Sequence, residues 1–116
     1  MKGAREDYDA ALAIYRAIQD RLGEANVLKA RGDLKVREAD LKGAREDYDA
    51  ALPIYRDIQD RLGEANVLQA RGDLKVREAD LQGAREDYDA ALAIYRAINA
   101  RLGEANVLQA RGDLKV

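Results

Sequence analysis

The chain repeats itself every 40 residues, and this self-similarity limits the folds open to it more than any other feature. The segment Gly3 to Lys42 recurs as Gly43 to Gln82 and again, shortened, as Gly83 to Val116. The first two copies differ at four positions: Ala13 against Pro53, Ala17 against Asp57, Lys29 against Gln69 and Lys42 against Gln82. The second and third differ at four of 34: Pro53 to Ala93, Asp57 to Ala97, Gln59 to Asn99 and Asp60 to Ala100. Copies that have taken on separate tasks drift further apart than this. Near-identity therefore points to a recent duplication or, more strongly, to an engineered array. A unit this short cannot bury its own apolar faces, so stacking of successive copies is expected.

Within the middle copy, Leu41, Ala44, Tyr48, Ala51, Tyr55, Ile58 and Leu62 recur in steps of three and four. That spacing lays one apolar stripe along a helix. Asp40 is placed to cap its first turn, which predicts a helix, B, over about residues 40–59. Pro53 removes an amide donor and crowds the carbonyl of Asp49, so a kink is expected there. A second helix, A, is predicted over about 21–36 with Asp20 as its cap. It carries two apolar strips, one of Ala25, Leu28, Gly32 and Val36 and one of Val27, Ala30 and Leu34, so it should be sandwiched between neighbours. Arg31 and Lys35 fall between the strips, where their stems can pack while the charged ends reach water. A buried Arg31 needs an acidic partner nearby. No alternating apolar run supports a strand, so the expected class is all-α.

These residues resemble the tetratricopeptide repeat family. The family pattern of a small residue, then an Ala, an aromatic and an Ala across the helix pair is matched by Gly32, Ala44, Tyr48 and Ala51, with Leu28 at the first large position. The 40-residue period and the link from Ile58 to Ala65 are similar to the longer variant found in Leu-Gly-Asn-type scaffold proteins and many bacterial regulators. Departures stand at Arg31, where the family has Leu, at Lys35, where it has Tyr, and at Ala39 and Gln59, where it has Gly; the closing Pro is absent. The resemblance covers the whole chain and implies a single helical-hairpin solenoid over 1–116, with copies at 3–42, 43–82 and 83–116. It also implies that the A helices line a concave groove for a peptide. That lining would be Asn26, Lys29, Asp33 and Arg37, then Asn66, Gln69, Asp73 and Arg77, then Asn106, Gln109 and Asp113. An Asn amide can donate to and accept from a peptide backbone at once. The Asp in every copy argues against the carboxylate-holding clamp of chaperone-binding members.

The order of helices is B-A-B-A-B-A, so two A–B pairs are flanked by one B in front and one A behind. Solenoids normally finish in a polar capping helix, and no such segment is evident here. Self-association is therefore expected, with one molecule's last A helix packing on the next molecule's first B helix. A swapped dimer is the other form. Ala100 replaces a capping Asp whose loss costs about 1 kcal/mol, so the last two helices could fuse and exchange. Asn99 is the residue that can take over as cap and keep the turn. Asn99 and Ala100 are thus the expected hinge.

Composition removes most catalytic chemistry. There is no Cys or His, and Ser and Thr are missing as well, so the usual nucleophiles, the usual neutral-pH base and zinc ligation by Cys or His are absent. The acidic run Glu46, Asp47 and Asp49, with its copies Glu6/Asp7/Asp9 and Glu86/Asp87/Asp89, lies on a helix beside Arg45 rather than in a Gly-turned loop. It is read as solvated helix surface, with Arg45 pairing to Asp49. Neither a metal site nor a separated carboxylate pair for glycoside hydrolysis is expected, and no cofactor. The six tyrosines lie on the B stripe and should pack in the core. The glycines are isolated and make no phosphate-cradling loop. A net charge of −2 and a pI near 5.2 without a basic stripe speak against nucleic acid. No run approaches membrane length and no secretory leader stands at the N-terminus, which places a natural version of the chain in the cytoplasm. The expected function is a non-catalytic scaffold that self-associates, with peptide binding in the groove as the alternative.

Overall fold

Each aspartate that ends one helix junction also starts the next helix. In the computed structural model, which describes residues 2–114, the carboxylates of Asp20, Asp40, Asp60 and Asp80 accept from the backbone N–H of Gly23, Gly43, Gly63 and Gly83 at 2.9–3.0 Å. This satisfies a first-turn donor that the helix itself cannot. Asp20, Asp40 and Asp80 also close the preceding helix, as at Asp20, whose N–H reaches back to Tyr15 O at 2.9 Å, while Gln19 N–H reaches Arg16 O at 3.2 Å. The residue before each N-cap, Gln19, Ala39, Gln59, Ala79 or Asn99, turns the chain with φ near +60°.

Six helices result among the described residues: α1 (Lys2–Ala17), α2 (Arg21–Arg37), α3 (Leu41–Asp57), α4 (Arg61–Arg77), α5 (Leu81–Ala97) and α6 (Arg101–Gly112). α1, α3 and α5 are the predicted B helices, and α2, α4 and α6 the A helices. α3 continues through Pro53 as one helix, with the proline on its exposed side. No helix among the described residues is long and apolar enough to cross a membrane.

The chain divides into two compact units, Met1–Gln59 and Asp60–Val116. In the first, α2 lies between α1 and α3 and packs most extensively on α3. Ala25 and Leu28 of α2 and Ala44, Tyr48, Ala51 and Tyr55 of α3 are buried. Gly32 lets the two helices approach closely: a Cβ there would stand 2.7 Å from the Tyr48 ring. In the second unit, α4 packs on α5 in the same way and α6 follows on α5 with a lighter contact to α4. Gly72 there takes the ring of Tyr88, at 2.6 Å from the same notional Cβ.

Candidate functional site

The polar side of the A helices is partly consumed by the core tyrosines. The hydroxyl of Tyr55 donates to Asn26 Oδ1 at 2.6 Å and that of Tyr48 to Asp33 Oδ1 at 2.5 Å. In the second unit Tyr95 donates to Asn66 Oδ1 at 2.6 Å, with Gln69 Oε1 at 3.1 Å, and Tyr88 donates to Asp73 Oδ1 at 2.5 Å. Burial foremost, and then the Asp73 carboxylate, push the Tyr88 phenol above its ordinary range. Tyr95 is raised as well, by burial first and then by the charge of Asp73. The amide and carboxylate row that a peptide would meet is therefore also the row that satisfies the buried phenols. Sequence spacing places all six tyrosines in the core; Tyr48, Tyr55, Tyr88 and Tyr95 are buried, Tyr8 and Tyr15 of α1 only half-buried, and the spacing does not show where the hydroxyls end.

The remaining groove candidates divide by unit. On α2, Lys29 Nζ is held by Asp33 at 2.8 Å, and Arg37 is exposed at the helix end. In the second unit, Asn66, Gln69 and Asn106 line one cavity of about 380 Å³, with Tyr95 at its wall and Leu62 and Leu102 at its rim. Asp73, Arg77 and Asp113 line another, of about 340 Å³, against Tyr88. Gln109 is exposed and lines neither. The hinge candidates keep the turn by different means from those expected. Asn99 is not a cap: it occupies the φ +59° position, which Asn tolerates better than most residues. Ala100 is the N-cap and has no side-chain hydrogen bond to offer. α5 and α6 are separate helices all the same, because Ala100 N–H bonds back to Tyr95 O at 2.8 Å.

The acidic run departs most from the sequence reading. Asp47 and Asp87 are buried, not solvated. Arg31 donates to Asp47 through Nε at 2.9 Å and through Nη2 at 2.8 Å, and Lys35 Nζ adds a third contact at 3.1 Å. Arg71 and Lys75 surround Asp87 in the same way, at 2.8, 2.9 and 3.0 Å. The partner expected for Arg31 is therefore Asp47, joined on the other side by Asp9 of α1 at 2.8 Å. Lys35, by contrast, does not carry its charge to water; it is buried against the same carboxylate. Burial drives the Asp87 carboxyl upward, but the Arg71 and Lys75 hydrogen bonds and charges outweigh it and hold it below the usual carboxylate range. The Asp47 hydrogen bond, against the effect of burial, raises Arg31 further above its already high value. Among the described residues no cluster of three acidic side chains is placed to hold a metal ion.

One more feature separates residues of nearly identical sequence context. Ile54 of α3 and Ile94 of α5 are 5% and 6% exposed, whereas Ile14, at the same place in α1, is 59% exposed. On the A side, Leu28 and Leu68 are each 2% exposed and Leu108 of α6 is 37%. The α1 face that corresponds to the covered face of α3, and the α6 face that corresponds to the covering face of α2, both lie open. No protein-family model matches the chain, and no curated protein matches it.

Proposed function

We propose that the chain is a non-catalytic, engineered helical-repeat scaffold of tetratricopeptide type, a solenoid that works by protein–protein contact and self-associates through its outer helices. The open faces of α1 and α6 carry this reading. Large apolar side chains that the repeat buries in α3 and α2 are left in water at Ile14 and Leu108, and burying apolar surface is the main driving force for association. The near-identity of the copies supports the engineered origin. The absence of Cys, His, Ser and Thr supports a non-catalytic role.

Size-exclusion chromatography at increasing loading concentration tests the reading, with Ile14→Lys as control. The wild-type chain should elute progressively earlier as concentration rises, and the variant should not. Constant elution of the wild-type chain would overturn self-association through these helices.

A second reading is favoured by the cavity between α4 and α6, where exposed Leu62 and Leu102 flank the amides of Asn66 and Asn106. Apolar rims beside amides that can bridge a backbone suit an extended peptide. Binding of a peptide that Asn106→Ala abolishes, with elution volume unchanged, would put this reading first.

A further inference from the structure

We infer that the partner of the open α6 face is the α1 face of a second copy of this chain, docked in the register by which α2 packs on α3. The inference rests on the self-association reading above and specifies its geometry. Two interfaces in the chain, α2 on α3 and α4 on α5, repeat the same contacts. Arg31 grips Asp47, the Tyr48 ring lies over Gly32, and the Tyr55 hydroxyl donates to Asn26. Arg71 with Asp87, Tyr88 over Gly72, and Tyr95 with Asn66 repeat the set.

α6 holds half of a third set and α1 the other half. Arg111, Gly112 and Asn106 stand where α2 has Arg31, Gly32 and Asn26. Asp7, Tyr8 and Tyr15 stand where α3 has Asp47, Tyr48 and Tyr55. The state of each half is that of an interface without its mate. A Cβ at Gly112 would meet nothing within 4 Å, whereas at Gly32 and Gly72 it would strike a tyrosine ring. Asp7 is exposed, whereas Asp47 and Asp87 are buried between two cations. Arg111 is already anchored through Nη1 to Asp89 at 2.9 Å, just as Arg31 is anchored through Nη1 to Asp9. The Nε–Nη2 edge that takes the buried Asp in the other two copies is thereby oriented for a third. Charge matches as well, since α6 offers a guanidinium where α1 offers a carboxylate. The contact is heterologous, so each copy has one donor face and one acceptor face.

Complementation of two blocked variants tests this directly. Gly112→Leu fills the socket on α6 where the chain itself has open space, and Asp7→Arg places a like charge before Arg111 from an exposed position. Far-ultraviolet circular dichroism checks that both stay folded, and light scattering gives the mass. Each variant alone should lose the concentration-dependent rise in mass shown by the wild-type chain. An equimolar mixture should recover association to twice 12.9 kDa, because it restores one intact junction. A wild-type chain that stays monomeric overturns self-association and this register with it. A wild-type chain that associates while both variants associate equally well overturns the register alone. Recovery of no mass in the mixture also overturns it, because an isologous contact would not complement.

Discussion

Arg31 holds Asp47 through both carboxylate oxygens, at 2.9 and 2.8 Å, and so ties α2 to α3 at a point where the side chain of Asp47 is almost fully out of water. Paired side-on contacts of this kind are the strong form of charge-assisted hydrogen bond. Lys35 supplies the second cation, at 3.1 Å from the oxygen that Arg31 Nε also reaches. Within the same sequence, Glu-Asp-Tyr-Asp, the first aspartate stands exposed in α1 and buried in α3 and α5. What differs is the A helix packed against it.

Asp47→Ala should therefore cost roughly 3 kcal/mol, because it strands a buried guanidinium and ammonium together. Asp7→Ala, the same change in the same local sequence, should stay within about 0.5 kcal/mol at concentrations where the chain is monomeric. Urea unfolding of both variants measures the difference. Equal effects would show that the buried cluster does not hold α2 to α3.

Gly72→Ala should lower stability although alanine is the better helix former. Its Cβ would stand 2.6 Å from the Tyr88 ring, and overpacking of a tight core costs about 1–3 kcal/mol against the roughly 1 kcal/mol that alanine gains in helix propensity. Thermal unfolding monitored by circular dichroism reads the net sign, which should be a loss.

Much of the fold is legible in the sequence because the repeat writes it three times. The three-and-four spacing from Leu41 to Leu62 marks the B helix, and the aspartates mark where helices start. The fate of Asp47 is not legible in the same way, since a carboxylate next to Glu46 and Asp49 reads as surface until Arg31 and Lys35 are brought over it from a different helix. Ala39 and Ala79 show the converse. They stand at φ +63° and +62°, a conformation that glycine accepts freely and alanine does not. A missing glycine at these places gave no sign that the turn would form, yet the flanking hydrogen bonds close it. The groove residues are half legible: spacing puts Asn66 and Asn106 on one polar side, but the hydroxyl of Tyr95 on Asn66 follows only from the packing of α5 on α4.

Ala100→Asp should stabilise the second unit by about 1 kcal/mol, because the N-cap of α6 has no side-chain acceptor while the equivalent Asp20 and Asp60 each accept at 2.9 Å. Asp60→Ala should cost a similar amount. Chemical unfolding of the two variants in parallel gives both values, and a loss on Ala100→Asp would contradict the capping argument.

The pH dependence has two arms. Asp87 titrates below its ordinary value in the folded chain, so its contribution is complete above the unfolded value of about 3.9 and disappears as pH falls through the folded one. Tyr88 titrates above its ordinary value, so its contribution is complete below about pH 10 and disappears as pH rises toward the folded one. Stability measured from acid to alkaline pH should form a plateau between these limits. Asp87→Asn should lower the plateau and flatten the acid arm, and Tyr88→Phe should flatten the alkaline arm.

The most direct measurement is the molar mass of the unaltered chain by light scattering over a hundredfold dilution. Pairing of α6 with the α1 of a second copy requires mass that climbs from 12.9 kDa at the dilute end to at least twice that at the concentrated end. A mass that stays at 12.9 kDa throughout would contradict it and leave the cavity beside Asn66 and Asn106 as the working surface.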